Sequence, residues 1–168
     1  MGEPNLEQNL LALHTASFGW ALACTGRNSD EASDVLQEAY AKVLSGRARF
    51  GGQSSFKTWL FGVIRLTAVE HRRWRFFRHR VVESVDLDQT AAPSTRGVDR
   101  ETSEALGRAL STLSERQREV LHLVFYQDLS IAEAAIVMQV ALGTARLHYE
   151  RGKANLLVIL EKEGIDIA

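Results

Sequence analysis

Apolar residues recur at the spacing of an α-helix in the first third of the chain. The clearest set is Ala32, Val35, Leu36, Ala39 and Val43, at positions i, i+3, i+4, i+7 and i+11. Residues at that spacing share one face of a helix, so the pattern predicts a helix that buries this face. The positions between them are mostly polar or acidic, which predicts a solvent-facing opposite side.

Two further helices are predicted on either side of this one. Leu6 and the leucines that follow it open a helix that should continue until Gly26 ends it. Downstream, an apolar stripe that starts at Phe56 carries on toward Trp74 and Phe77 and predicts one long helix. The three helices together predict a helical domain in the N-terminal half.

The second half of the chain carries two strong helix start signals. Ser114 with Gln117, and Ser130 with Glu133, both fit the capping box. In that arrangement a hydroxyl, and an acid or amide three residues later, bond the free N–H groups of the first turn. Each pair therefore predicts the first residue of a helix.

Apolar faces follow both start signals. Leu121, Val124 and Phe125 predict the buried face of the first helix, and a third helix begins near Gly143 and buries Gly152. A short helix, a tight turn and a longer helix with polar residues outward make the helix-turn-helix arrangement of DNA-binding domains.

A segment without a helical stripe separates the two halves. Residues 81–103 contain Pro93 and Gly97 and hold more acids than bases, which predicts a flexible acidic linker. The fold class is then all-α, with a helical domain over residues 1–80, the linker, and a helix-turn-helix domain over 104–168. The presence of only two prolines agrees with a helical chain.

Charge is distributed unevenly along a chain whose net charge is only −1. Residues 47–80 hold nine bases and one acid, a balance of +8, whereas residues 1–46 and 81–104 each sum to −4. A basic block of that size predicts a polyanionic partner such as nucleic acid.

Aromatic residues interleave with this basic block, namely Trp59, Phe61, Trp74, Phe76 and Phe77. Aromatic rings stack on unpaired bases while arginines neutralise the backbone, which favours single-stranded or locally melted nucleic acid as the ligand. Packing of individual rings in the domain core stays open as the alternative.

The polar side of the last predicted helix carries groups that reach phosphates and base edges. Arginine suits guanine in a bidentate manner, and an apolar side chain suits the methyl group of thymine. The residues concerned are Thr144, Arg146, Leu147, His148, Glu150, Arg151 and Lys153.

The acidic side of the helix around Val35 has three possible roles: a metal site, a protein-binding face or a solvated surface. Its residues, Asp30, Asp34, Gln37 and Glu38, are spread over two turns with no His or Cys among them, which disfavours metal. The five histidines lack ligand spacing, and Cys24 has no base beside it in sequence. We therefore expect no catalytic centre, no metal and no cofactor.

The sequence predicts a cytoplasmic protein without membrane insertion. Met1–Gln8 lack a basic stretch followed by an apolar run, and no window approaches about 18 uncharged apolar residues. The single cysteine, Cys24, cannot form an internal disulfide.

At the level of motifs, the chain resembles the bacterial extracytoplasmic-function sigma factors over nearly its whole length. Two sets of motifs occur in the family's order. The second conserved domain of the family is matched by Glu31–Tyr40 (EASDVLQEAY), Phe50–Gly52 and Phe56–Leu60 (FKTWL). The fourth is matched by Leu129–Ser130, Glu133–Ala135, Gly143–Arg146 and Arg151.

The resemblance implies a dissociable specificity subunit of RNA polymerase rather than an enzyme, with roles for individual residues. Asp34, Gln37 and Glu38 would face the clamp helices of the largest polymerase subunit. The minus-ten promoter element would be bound by Phe50, Ser54, Phe56, Lys57, Trp59, Arg65, Arg72 and Arg73. The minus-thirty-five element would be bound by Thr144, Arg146, Leu147, His148, Glu150 and Arg151. The implied partners are core RNA polymerase, promoter DNA and an anti-sigma factor.

Several positions depart from the family pattern. Ser33 replaces an acid in the polymerase-binding motif, Leu66 replaces an asparagine often used at the minus-ten element, and Ala141 replaces a frequent turn proline. The promoter sequence therefore does not follow from the resemblance.

Two other functions remain as alternatives from the residues. A stand-alone helix-turn-helix regulator accounts for the last three helices but leaves the aromatic-basic block and the acidic face without roles. A nucleic-acid-processing enzyme would account for the basic block but needs catalytic residues that the sequence does not show. Metal-dependent cleavage by Asp30, Asp34 and Glu38 is its test.

Overall fold

A computed structural model describes residues 5–81 and 100–165 of the chain. Every regular element in these residues is a helix, which confirms the all-α class. The helices are α1 (Leu6–Ala12), α2 (His14–Cys24), α3 (Ser29–Leu44), α4 (Phe56–Val81), α5 (Arg100–Thr112), α6 (Glu115–Leu121), a π-helical turn (His122–Tyr126), α7 (Ile131–Met138) and α8 (Leu142–Lys162).

The described residues divide into two compact units, one on each side of residues 82–99. Most of the predicted linker, 81–103, therefore lies outside the described residues. Its two ends are helical, because Val81 closes α4 and residues 100–103 open α5.

The N-terminal unit is built around α2, α3 and α4. All five positions of the predicted α3 stripe are buried, which confirms the helix and its buried face. At the centre of the unit Trp20 is fully buried: its Nε1 donates a hydrogen bond to the carbonyl oxygen of Phe61 at 3.0 Å, and the two rings stack with centroids 6.1 Å apart. This contact joins α2 to α4.

The helix predicted from Leu6 to Gly26 is interrupted at Leu13, which separates α1 from α2. The Leu13 backbone has φ −97° and ψ 3°, outside helical values. Hydrogen bonds still run from the Leu13 N–H to the Asn9 carbonyl and from the Ser17 N–H to the Leu13 carbonyl. The i→i+4 pattern thus continues across the interruption, which is why the leucine spacing did not reveal it.

Polar contacts on both ends of α3 fix α4 beside it. Lys42 Nζ donates to Thr67 Oγ1 at 3.1 Å and to Glu70 Oε2 at 2.5 Å. Near the other end of α3, Glu31 forms an ion pair with Arg75. Because the late residue of α3 meets the earlier residues of α4, the two helices run antiparallel.

The C-terminal unit packs α5, α6 and α7 against α8. Gly152 of α8 sits where a Cβ atom would lie 3.2 Å from Leu121 Cδ1 and 3.3 Å from Gln117 Cβ, so the glycine allows α6 and α8 to approach closely. The predicted burial of Gly152 is confirmed.

The helix-turn-helix is formed by α7, a tight turn and α8. Gln139 makes the turn in the left-handed region, with φ 56° and ψ 46°. The Ser130 capping box is complete: the Glu133 N–H donates to Ser130 Oγ at 3.1 Å, and the Ser130 N–H donates to Glu133 Oε2 at 2.7 Å. This confirms the helix start predicted for α7.

At Ser114 only half of the predicted capping box forms. Ser114 Oγ accepts from the Gln117 N–H at 3.3 Å, but Gln117 Oε1 accepts from Asn155 of α8 instead of returning to Ser114. Gln117 therefore bonds Asn155 of α8 rather than the backbone N–H of Ser114.

Replacing Ser130 with alanine removes the hydroxyl that caps α7. We expect the C-terminal unit to lose about 1 kcal/mol of stability, the usual cost of losing an N-cap. Urea unfolding followed by circular dichroism measures this, with Ser130→Thr as the control that keeps a capping hydroxyl. Equal midpoints for wild type and Ser130→Ala would contradict the assigned role of the cap.

Candidate nucleic-acid interface

The acidic side of α3 is exposed and unengaged. Asp34, Gln37 and Glu38 are all exposed, and within the described residues none of the three is held by a hydrogen bond or an ion pair. Glu31 differs, because it is half-buried and paired with Arg75 of α4. On α3, Glu31 therefore stabilises the fold, whereas the exposed polar side chains of the helix are available to a partner.

A cluster of three aromatic rings organises the loop between α3 and α4. Phe50 from the loop meets Phe56 and Trp59 from the first turn of α4, with all three pairs of ring centroids 5.4–5.6 Å apart. We call these three residues the aromatic cluster. Phe50 forms its outer edge and is 43% exposed.

The backbone of residues 45–55 bends sharply to reach this cluster. Gly46 and Gly52 have φ values of +76° and +71°, a region that side-chain-bearing residues rarely adopt. At the end of the loop Ser55 Oγ accepts a hydrogen bond from the Thr58 N–H at 3.1 Å and caps the start of α4. The half-exposed Ser54 lies beside this cap.

The basic residues predicted for the minus-ten element are not all gathered at the cluster. Lys57 is half-buried, with Nζ 5.7 Å from the centroid of the Phe61 ring. Arg72 and Arg73 are exposed further along α4.

The expectation that Arg65 contacts DNA is wrong in this structure, because the side chain is only 8% exposed. The residue stands four positions after Phe61 and three before Ala68, and both of these are buried. Arg65 therefore lies on the buried stripe of α4. Its expected DNA contact followed from its positive charge within the basic block, which does not indicate burial.

The end of α4 also differs from the predicted stripe. Trp74 and Phe77 are 57% and 70% exposed, although the sequence placed them on the buried side. Among the positions of α4 whose burial is described, the last buried one is Ala68, although Arg75 still pairs with Glu31 of α3.

The start of α8 presents the side chains predicted for the minus-thirty-five element. Ala145 and Gly152 are buried against the rest of the unit. His148 is half-buried, and Glu150 is paired with Lys153 at 3.4 Å. The exposed residues of the predicted set are Thr144, Arg146, Leu147, Glu150 and Arg151.

The sequence did not indicate an exposed group of aromatic residues beside α8. Phe125 was predicted to be buried but is 58% exposed, and it stacks on Tyr149 with centroids 5.9 Å apart. The cause is the π-helical turn from His122 to Tyr126, which adds a residue to the turn and places Leu123 in the core instead. Apolar spacing alone does not signal a π-helical turn.

Neither a candidate metal site nor a candidate membrane span occurs in the described part of the chain. No group of three or more His, Cys, Asp or Glu residues there could hold a metal ion. No described helix is long and apolar enough to cross a membrane.

Comparison with known families covers both units. Residues 12–75 match the family model for Sigma-70 region 2, and residues 103–156 match the model for Sigma-70 region 4. The chain is 30% identical over 133 residues to the ECF RNA polymerase sigma factor SigX of Bacillus subtilis, which covers 75% of this chain and 69% of SigX. The chain belongs to the ECF (extracytoplasmic-function) RNA polymerase sigma factors. The relative EcfG of Rhodopseudomonas palustris is 29% identical over 167 residues, covering 96% of this sigma factor and 88% of EcfG.

Solved structures share the fold of this sigma factor. The sigma factor RpoE of Bartonella quintana, solved with the anti-sigma factor NepR, superposes with a TM-score of 0.80 at 24% identity, covering 94% of this chain and 97% of that one. CnrH, solved with the cytosolic domain of CnrY, gives a TM-score of 0.61 at 20% identity, covering 92% and 86%.

Membership of the family establishes the general function. This sigma factor binds RNA polymerase and promoter DNA and acts in transcription initiation. Sigma factors as a class are initiation factors rather than enzymes.

Proposed function

We propose that the exposed side of α3 is the surface on which core RNA polymerase binds. Asp34, Gln37 and Glu38 supply it, and the acidic character predicts a basic counterpart on the polymerase. The rigid packing of the opposite face of α3 supports the assignment, because the three side chains project from a fixed helix.

In this proposal the 45–55 loop and the aromatic cluster bind the minus-ten element. Phe50 and Ser54 line the exposed edge of the loop, while Phe56 and Trp59 support it from α4. Lys57 lies on the adjoining turn, and Arg72 and Arg73 contact the DNA backbone further along the helix. Arg65 is left out because it is buried.

The second DNA-binding surface in the proposal is the start of α8, which reads the minus-thirty-five element in the major groove. The helix follows a tight turn after a capped α7, as the recognition helix of a helix-turn-helix does. Thr144, Arg146, Leu147 and Arg151 are exposed there, with Glu150 and the half-buried His148 at the margin.

One observation supports the combined assignment most strongly. Both family regions fold as separate units, and each exposes the side chains that its proposed contact requires. A domain over residues 1–80 would then bind polymerase and the minus-ten element, and a domain over 104–168 would bind the minus-thirty-five element. We also propose that the protein acts in the cytoplasm, where the polymerase works.

The decisive experiment mixes the purified chain with sigma-free bacterial core polymerase. We expect co-elution of the two and selective initiation from a few members of a library of promoter fragments. Tight binding to duplex DNA without any binding to core polymerase would instead identify a stand-alone regulator.

Replacing Arg146 with alanine tests the reading of the upstream element. We expect a loss of about 1–3 kcal/mol in binding at the minus-thirty-five half of the selected promoter and little change on sequences altered there. Lys162→Ala, which removes a charge at the far end of the same helix, serves as the control. An equal loss on every sequence would show that Arg146 contacts a phosphate rather than a base.

We also propose that an anti-sigma factor binds this protein. One similar solved structure is a sigma factor in complex with an anti-sigma factor, NepR, and another is CnrH in complex with the cytosolic domain of CnrY. An anti-sigma factor that covers the α3 surface would compete with core polymerase, so addition of the candidate partner to the holoenzyme should release this chain.

A further inference from the structure

The turn between α7 and α8 contains few residues that fix its own geometry. Gln139 occupies the left-handed region, with φ 56°, where glycine is the favoured residue. The Val140 N–H bonds the Ala135 carbonyl at 3.1 Å and closes the end of α7, but this bond does not reach α8. Ala141 stands at the N-cap of α8, and alanine has no side-chain acceptor for the N–H groups of the first helical turn. Contacts from outside the turn therefore help to direct α8.

Arg116 of α6 supplies one such contact, at the last residue of α7. Its Nη1 donates to the Met138 carbonyl oxygen at 3.2 Å. This carbonyl is one of those that an α-helix leaves without a helical partner at its C-terminal end. Met138 is fully buried and directly precedes Gln139, so Arg116 holds the chain at the point where the turn begins.

A buried carboxylate keeps Arg116 in this position. Glu119 is only 6% exposed, and its Oε2 lies 3.6 Å from Arg116 Nη1. A carboxylate is rarely this buried unless a cation or hydrogen bonds compensate for the water it has lost. A guanidinium carries five N–H donors in a fixed plane, so Arg116 can bind Glu119 and the Met138 carbonyl together.

The next residue of α6 holds α8. Gln117 Oε1 accepts a hydrogen bond from Asn155 Nδ2 at 3.3 Å, and the Gln117 Cβ lies against Gly152 of α8. Two adjacent residues of α6 thus contact the two helices of the helix-turn-helix, Arg116 at the end of α7 and Gln117 in the second half of α8. The orientation of α8 relative to α7 therefore depends on α6 as well as on the turn.

We propose that Arg116, held by Glu119, is a positioning residue for promoter recognition. Together with Gln117 it fixes the direction in which α8 leaves the turn, and thereby which α8 side chains reach base edges of the minus-thirty-five element. Hydrogen bonds to base edges require close alignment, so a small rotation of α8 would take Arg146 out of bonding geometry. The inference rests on the proposed minus-thirty-five function of α8 and adds residues that act through α8 rather than by touching DNA.

The test uses holoenzyme made with the full chain and duplex promoter fragments selected from the library. Discrimination is the ratio of the affinities for the selected fragment and for a fragment with one base pair changed in its minus-thirty-five element. Arg116→Ala should lower both the affinity for the selected fragment and the discrimination about tenfold, as expected when a single base contact is lost. Binding to a fragment with a scrambled minus-thirty-five element should change little. Arg116→Lys should restore part of the discrimination, because an ammonium still donates hydrogen bonds and keeps a positive charge beside Glu119.

The matched control is Arg118→Ala. Arg118 lies on the same helix, and its Nη1 also donates to backbone carbonyls at 3.2 Å, those of Ser111 and Leu113. These carbonyls belong to the junction of α5 with α6 rather than to the helix-turn-helix. Loss of Arg118 should therefore lower the unfolding midpoint of the C-terminal unit without changing the discrimination.

Two further variants separate positioning from stability. Arg116→Ala leaves the Glu119 carboxylate buried without its arginine, which destabilises the C-terminal unit. Arg116→Ala/Glu119→Gln removes this charge as well and should lose the same discrimination. Gln117→Ala removes only the exposed bond to Asn155, so it should stay folded and lose about twofold to threefold in discrimination, as expected for one exposed hydrogen bond. Circular dichroism checks that each variant is folded at the temperature of the binding measurement.

Three results would overturn the proposal. One is wild-type discrimination in folded Arg116→Ala or in the double variant or, if neither of these folds, in Gln117→Ala. Another is an equal loss of affinity by Arg116→Ala on every sequence, the scrambled element included. The third is an equal loss of discrimination in Arg118→Ala, which would assign the effect to general destabilisation. If wild-type holoenzyme does not discriminate and Arg146→Ala has no effect, the minus-thirty-five assignment itself fails, and the positioning proposal fails with it.

Discussion

Replacing Asp34 with arginine should weaken binding to core RNA polymerase about a hundredfold while leaving the chain folded. Asp34 is exposed on α3, beside Gln37 and Glu38, and the buried stripe lies on the opposite side of the helix. Reversing its charge would place a cation against the basic surface expected on the polymerase. Loss of one member of a close charge pair at an interface costs about 2–5 kcal/mol, and repulsion adds to this.

The measurement is titration of labelled chain with core polymerase, together with thermal unfolding of each variant. Glu7→Arg on α1 is the matched control, because it makes the same charge change at an exposed position outside the proposed surface. An exposed substitution of this kind should change stability by no more than about 0.5 kcal/mol. Wild-type affinity in a folded Asp34→Arg protein would show that polymerase binds elsewhere.

Much of the fold follows from spacing that can be read directly from the sequence. The α3 stripe, the capped start of α7 and the burial of Gly152 each follow from residue type and periodicity. They were predictable because one face of a helix must be buried and because the N–H groups of its first turn need acceptors.

The errors arise where tertiary context overrides that local pattern. Arg65 has the charge of a surface residue but the spacing of a core residue, and burial followed the spacing. Trp74 and Phe77 continue the stripe in sequence, yet both are exposed, because the close packing on α4 ends at Ala68 and an ion pair, Arg75–Glu31, joins α3 to α4 near Trp74. At Phe125 a π-helical turn changed the register, which a count at 3.6 residues per turn cannot foresee.

The site was predicted at the level of surfaces rather than of individual contacts. Charge segregation and the interleaved aromatics indicated nucleic acid, and the helix start signals indicated a helix-turn-helix. Which basic side chains reach the ligand depends on what each packs against. The acidic side of α3 follows the same rule. Glu31 is paired with Arg75, whereas Asp34 and Glu38 are exposed.

Replacing Trp20 with alanine should unfold the N-terminal unit selectively. The side chain is fully buried, stacks on Phe61 and donates a hydrogen bond to the Phe61 carbonyl. Removing a buried tryptophan costs about 3–5 kcal/mol, which is comparable with the whole stability of a small domain. Because α4 packs against Trp20, the proposed polymerase and minus-ten surfaces should be lost together.

The C-terminal unit has its own core, so Trp20→Ala should leave its unfolding transition and its binding to the minus-thirty-five element intact. Differential scanning calorimetry and binding to an upstream half-site measure the two consequences. Trp20→Phe keeps a ring against Phe61 but loses the hydrogen bond, and it should cost about 1–3 kcal/mol and leave the unit folded. Simultaneous loss of both transitions in Trp20→Ala would mean that the two units depend on each other for stability. That result would contradict the assignment of separate roles to them.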